Sequence, residues 1–331
     1  MTIPSFKNRL IGLTLIVLAG FALSSCHPKQ ASDTVNSPLR VGYSHWPGYL
    51  PVVIAREKGY FQEESVAVEL HFLHQLTLRR SYLSAGKIDG EFLTIGNAIQ
   101  IVQDTPGIRV IFAVDISDGS DAIVAAPSIK KIEDLKGKPV GVTLGTFGEL
   151  FLLKMLESRR MTPDMLVLQN CQPAKVAELL AEGKILAGQT WEPEITKVIK
   201  AGGHILFDSR QTPGLIVDVL AFDERILHDR AGDIQAFLRA WLKALDFCRT
   251  HPEEAISIIS QSEKITRESV SLKGVKMLRL EDNQRFFRRD NPSFSLYQTA
   301  QDYVDFFVKS GQLESQLDVN TLISPVFANS P

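Results

Sequence analysis

The side chains of this chain that could do chemistry gather in short stretches, each at a point where an apolar run ends or begins. Ser44, His45, Trp46 and Tyr49 follow the apolar stretch 39–43. The Trp46–Tyr49 pair can stack on a ligand or enclose its apolar part, and the same turn could instead pack its rings into the fold. Thr94 and Asn97 stand at the opening of a helical stretch. They suit polar contact or helix capping, and capping is the cheaper explanation for Asn97. Gly145-Thr146-Phe147-Gly148 precedes another apolar helix. Unpaired N–H groups and the helix dipole there suit a carboxylate, sulfonate or phosphate, and the plainer reading is a turn capped by Thr146. The Lys-Ser/Thr ending of a phosphate-binding loop is missing. Trp191 and Glu192 end a further run, and Asp218 lies in a later one. Both carboxylates could meet an amino or ring nitrogen, although Glu192 before Pro193 also reads as the acid at a helix start. Aromatics, amides and acids together suit a zwitterion or nitrogen heterocycle better than a bare inorganic anion.

Residues of these types act only if strands and helices bring them to one place. The pattern predicts strands at 39–43, 66–72, 91–95, 109–114, 123–126, 140–143, 166–169, 185–190, 205–207 and 217–222. Helices are expected between them at 51–58, 76–85, 98–103, 149–159, 174–182 and 194–201. This alternation argues for an α/β protein with largely parallel sheets. Ligands of such sheets collect beyond the C-terminal strand ends, where the stretches above lie. After residue 222 the character changes to helices at 231–249, 252–260 and 296–309. Those helices need a sheet built earlier in the chain to cover.

The N-terminus sets the compartment. Lys7 and Arg9 precede an uncharged apolar run, 10–23, which is too short for a settled membrane span of about 20 residues and reads as a secretory signal. The junction Leu23-Ser24-Ser25-Cys26 resembles the lipobox of bacterial lipoproteins, which implies a signal peptide over 1–25 and a lipid on Cys26. His27 rather than Asp follows, so that resemblance leaves inner or outer membrane open. Residues 26–38 read as a flexible polar tether. Without the signal the net charge moves from −2 to −4, with no basic surplus for a nucleic-acid backbone. Cys171 and Cys248 could pair after export, but Cys248 continues the apolar stripe Ile234, Phe237, Leu238, Trp241, Leu242, Leu245, which favours free thiols. Neither a Cys-x-x-Cys nor a His-x-x-x-His pair occurs, so neither a structural metal nor a cofactor is expected.

Four segments, read in order, resemble the solute-binding proteins of bacterial ABC importers, in the branch for nitrate, taurine, aliphatic sulfonates and thiamine-pyrimidine precursors. They are 40–61, with Trp46-Pro47-Gly48-Tyr49 and Ala55-Arg56-Glu57-Lys58-Gly59-Tyr60-Phe61; Ala85-Gly86-Lys87-Ile88-Asp89-Gly90; 132–142; and Trp191-Glu192-Pro193 through Asp208-Ser209 and Pro213-Gly214 to Asp218. The resemblance implies a two-lobed periplasmic-binding-protein-like fold of type II. Lobe one would be 39–120 with 220–331, the helical C-terminal third packed on it, and lobe two 121–219. Two crossing strands would form the hinge, with Asp218 in one of them and Asp115, Ser117 and Asp121 flanking the other.

On this reading the protein is not an enzyme. It is a lipid-anchored monomer in the cell envelope, on the periplasmic or extracellular face, that delivers a small polar nitrogen- or sulfur-containing solute to an ABC permease. The expected ligand contacts are His45, Trp46, Tyr49, Thr94, Asn97, Thr146, Phe147, Gly148, Trp191, Glu192 and Asp218. A sensory binding protein is the alternative. A pyrimidine-synthase-like enzyme is disfavoured, because the Cys cluster of that family is missing, and no Gly-x-Ser-x-Gly elbow is present to support a Ser-His-acid arrangement.

Overall fold

Strand-forming runs and the helices between them assemble into two sheets. The computed structural model describes residues 37–73, 75–290 and 295–328. Cys26 and the signal segment lie outside them. The strands are β1 (Leu39–Tyr43), β2 (Val68–Phe72), β3 (Gly90–Thr94), β4 (Ile108–Ser117), β5 (Asp121–Ala125), β6 (Pro139–Val142), β7 (Val167–Asn170), β8 (Ala187–Trp191), β9 (His204–Asp208), β10 (Val217–Asp223) and β11 (Val275–Met277). One sheet has the order β11-β4-β10-β3-β1-β2 and the other β7-β6-β8-β5-β9. The fold is mixed α/β and periplasmic-binding-protein-like, with the second sheet drawn from between β4 and β10.

The sheets are less parallel than the alternation of elements suggests. Parallel pairing joins β1 to β2 and β3, and β6 to β7 and β8. β10 runs antiparallel between β3 and β4, and β5 antiparallel between β8 and β9. The cause is the chain path. A strand that enters a sheet on the way from the other one arrives without the helical crossover that enforces parallel pairing.

Burial explains why the long C-terminal helices form. Helix Ala231–Thr250 buries Ile234, Phe237, Leu238, Trp241 and Leu245 on one face and packs on helix Pro51–Glu57. Each such side chain contributes roughly 1.5–3 kcal/mol when fully buried. Helix Leu296–Lys309 does more than cover the six-stranded sheet. It packs against both Ile95–Ile101 and Phe147–Glu157, so it touches helices attached to each sheet. Gln100 repeats the link by donating through Nε2 to the Gly145 carbonyl oxygen at 2.8 Å and to Gln312 Oε1 at 2.9 Å. Among the described residues no helix is long and apolar enough to cross a membrane. Cys171 and Cys248 are free thiols, and burial pushes the Cys248 thiol up to about 12.

Candidate functional site

The turn after β1 delivers the first wall of a cavity between the sheets. Pro47 opens a short 3-10 turn, Pro47–Tyr49, that aims Trp46 and Tyr49 inward. The close approach depends on Gly48: a Cβ there would stand 1.9 Å from Asp115 Oδ2. Trp46 Nε1 donates to the Asp115 carboxylate at 3.2 and 3.3 Å, and the Tyr49 hydroxyl donates to Asp218 Oδ1. Thr94, at the end of β3, caps helix Ile95–Ile101 by accepting from the Asn97 N–H at 3.1 Å. The cap is therefore Thr94 rather than Asn97, and the helix begins three residues earlier than its apolar periodicity suggests.

The cavity is lined by Ser44, Trp46, Tyr49, Arg79, Thr94, Asn97 and Asp218 from the strands of the six-stranded sheet and the segments that follow them, by Asp121, Phe147 and Trp191 from those of the five-stranded sheet, and by Ile216 just before β10. Its volume of about 130 Å³ holds a solute of a few heavy atoms. Phe147 and Trp191 stack with ring centroids 6.1 Å apart, forming an aromatic wall.

Carboxylates dominate the floor. Asp115 and Asp218 are cross-strand partners on β4 and β10, and Thr94 faces Asp218 from β3. Asp115, Asp121 and Asp218 are 0%, 1% and 2% exposed. Like charges directly opposite in a sheet repel. Burial first, then the neighbouring Asp218, pushes the Asp115 carboxyl well above its usual range. Asp218 is also raised by burial, although the Tyr49 hydroxyl, Asp115 and the Arg79 charge hold it back. Asp121 is pushed up to about 7 by burial and by the charge of Asp218, against the Ser117 contact that favours its ionised form. Gln189 Nε2 lies 3.4 Å from Asp121 Oδ1.

One cation faces these acids among the described lining residues. Arg79 donates through Nε to the Leu73 carbonyl oxygen at 3.0 Å, and its Nη1 is 3.7 Å from Glu91 Oε1. Glu91 is 1% exposed, neither of its oxygens has a hydrogen-bond partner among the described residues, and burial pushes it up to about 7.

Four of the residues singled out from the sequence lie elsewhere. His45 stacks on Phe72 at 4.1 Å and meets Glu263 at 3.2 Å, on the far side of the turn. Thr146 is a cap: its Oγ1 accepts from Gly148 N at 3.2 Å and donates to the Thr143 carbonyl oxygen at 2.8 Å. Gly148 packs under Gln189, whose Oε1 would be 2.6 Å from an added Cβ. Two of the donors that the anion-site reading of this loop would use are already engaged, Gly145 N by Glu149 at 2.6 Å and Gly148 N by Thr146. Glu192 serves its own helix, accepting from Thr196 N at 3.0 Å and Thr196 Oγ1 at 2.8 Å, with Lys273 3.6 Å away.

Arg79, Asp121, Ser44 and Ile216 line the cavity without having been singled out as ligand contacts. Arg79 sits beside Arg80 in a polar helix, which looks like a solvated face. Glu91 did carry a signal, as a charged residue directly before the apolar pair Phe92-Leu93 in a buried strand.

Comparison with known proteins follows the fold. A model of the family described as NMT1/THI5 like matches residues 46–255. A Brucella abortus protein whose name calls it a binding protein is 25% identical over 295 residues, covering 86% of this chain and 89% of that one. The Candida albicans 4-amino-5-hydroxymethyl-2-methylpyrimidine phosphate synthase is 24% identical over 230 residues, covering 63% of this chain and 66% of that one. The crystal structure of the periplasmic aliphatic sulphonate binding protein from Escherichia coli superposes with a TM-score of 0.73 at 17% identity, covering 88% of this chain and 94% of that one.

Proposed function

The chain belongs to the NMT1/THI5 like family, and on that premise we propose that it is an extracytoplasmic solute-binding lipoprotein. It holds a small polar nitrogen- or sulfur-containing solute between its two lobes and delivers it to an ABC permease, anchored through a lipid on Cys26. The observation that carries this reading is the cavity itself. It is small, has aromatic walls, draws its lining from both sheets and places Asp218 and Asp121 at the point where the chain passes between them. Such a site closes by hinge motion of one lobe on the other, and the closed form is the one a permease recognises. No bond is made or broken.

The relative named as a synthase marks the competing reading. Among the described residues the cavity wall holds neither His nor Cys, and His45 is engaged by Glu263. That supports binding over catalysis.

A thermal-shift screen of the purified protein against nitrate, ethanesulfonate, taurine and an aminopyrimidine tests the proposal. One class should stabilise it by mass action, by about 2.7 kcal/mol at a hundredfold excess over Kd. Turnover of one of these solutes, with no stabilisation by any, would overturn it.

A further inference from the structure

Taking the cavity as the solute site proposed above, we infer that it selects a solute carrying a protonated nitrogen, and that seating this nitrogen displaces the proton held between Asp115 and Asp218. The geometry is a mismatch of acceptors and donors. Three buried carboxylates meet at the floor, and the donors that reach them are Trp46 Nε1, the Tyr49 hydroxyl, Gln189 Nε2 and the Ser117 hydroxyl at Asp121, all of them uncharged. Asp218 and Asp121 both open onto the cavity, while Asp115 lies behind, fully buried.

The groups facing this floor come from every element around it. β3 contributes Thr94 opposite Asp218, the helix Leu76–Ser84 contributes Arg79, and β8 contributes Gln189. Helix Leu296–Lys309 contributes Tyr303, whose buried hydroxyl has no hydrogen-bond partner among the described residues and whose ionisation is opposed by burial, then by the charges of Asp121 and Asp218. Arg79 is the single cation among the described lining residues, and it also answers to Glu91. A bare anion entering here would meet one guanidinium and several carboxylates. A protonated nitrogen meets complementary acceptors below and the aromatic rings of Trp46, Phe147 and Trp191 around it, residue types that favour cations.

The proton balance follows. In the empty cavity the Asp115 carboxyl shares its proton with Asp218. When a cationic nitrogen arrives, its N–H donates to the carboxylate oxygen, both aspartates ionise, and the displaced proton leaves to solvent. The anionic end of a zwitterion would then find Arg79.

Matched probes test this: taurine against ethanesulfonate, and benzamidine against benzamide, with nitrate as the bare anion, each titrated calorimetrically into the full chain. In at least one pair the charged-nitrogen member should bind tenfold or more tighter than its analogue. Measured in two buffers of different ionisation enthalpy, that binding should release a proton. Its affinity should fall up to about tenfold per pH unit below neutrality, and Asp218→Asn should abolish the proton release. Equal or tighter binding of ethanesulfonate or nitrate would overturn the inference while leaving solute binding intact. Binding of the charged member with no proton released would overturn the displacement. If none of the five binds, the solute that co-purifies is released by denaturation and identified by mass spectrometry. A cationic nitrogen there supports the inference and a bare anion overturns it. Absence of any small molecule, together with no probe bound, counts against the solute-binding reading as well.

Discussion

Glu263 and Asp218 are each held by a tyrosine hydroxyl from one seven-residue segment, Tyr43 to Tyr49, yet their surroundings set them to opposite tasks. Glu263 accepts from Tyr43 at 2.7 Å and from Arg56 at 2.9 Å and meets His45 at 3.2 Å. Burial alone would raise it, but the hydrogen bonds from His45, Tyr43 and Arg56 outweigh that and hold it down to about 2. Asp218 has Tyr49, a second aspartate and a distant share of Arg79. A carboxylate whose lone pairs are filled by cationic and neutral donors is a structural clamp. A cluster left short of donors stores unfavourable charge that a ligand can relieve, which is how functional sites differ from structural ion pairs.

The largest effect should come from breaking the clamp. Glu263→Ala strips the acceptor from Arg56, Tyr43 and His45 and should lower the unfolding free energy by about 2–3 kcal/mol in urea titration. Solute affinity should stay within a factor of two, because none of these residues lines the cavity. A large loss of affinity would merge the two regions into one.

Next is the pH profile of stability. The cleft acids have folded-state pKa values raised above their ordinary range, so their stabilising contribution is complete below about pH 4 and is lost as pH rises through about 7, the value for Asp121. Glu263 runs the other way: its contribution is present above its ordinary range and is lost as pH falls toward 2. Urea midpoints should therefore decline from about pH 4.5 to 7.5, and Asp121→Asn should flatten that decline. A variant whose slope matches the parent would show that Asp121 stays ionised throughout.

A smaller effect is expected from the aromatic wall. Trp191→Ala should weaken binding of the solute by about 1–1.5 kcal/mol, measured by calorimetry, through loss of the stacked pair with Phe147. Unchanged affinity would remove Trp191 from the site.

The comparison also marks what could be read from residues alone. Apolar periodicity located the strands, and loops at strand ends led to Trp46, Tyr49, Thr94, Phe147, Trp191 and Asp218, all of which line the cavity. His45 was out of reach because one residue's difference in a tight turn decides which side a ring faces, and its partner Glu263 is 218 positions away. The loop Gly145–Gly148 looked like an anion site because sequence does not reveal that Glu149 folds back onto Gly145 N. Arg79 was hidden by its polar neighbours, since a charged side chain on the buried side of a short helix, one turn before Leu83, reads as part of a solvated face. The direction of β5 and β10 was hidden too, because the order of elements does not state where the chain crosses between sheets.

The most direct test needs no solute: the unfolding free energy of Asp218→Asn against the parent protein at pH 7.5. If the cleft carboxylates are held against their own repulsion, the amide keeps the Tyr49 hydrogen bond, sheds the charge and should make the variant more stable, by about 1–2 kcal/mol. A variant less stable than the parent by about 1 kcal/mol or more would make Asp218 a structural clamp like Glu263, and would contradict the account.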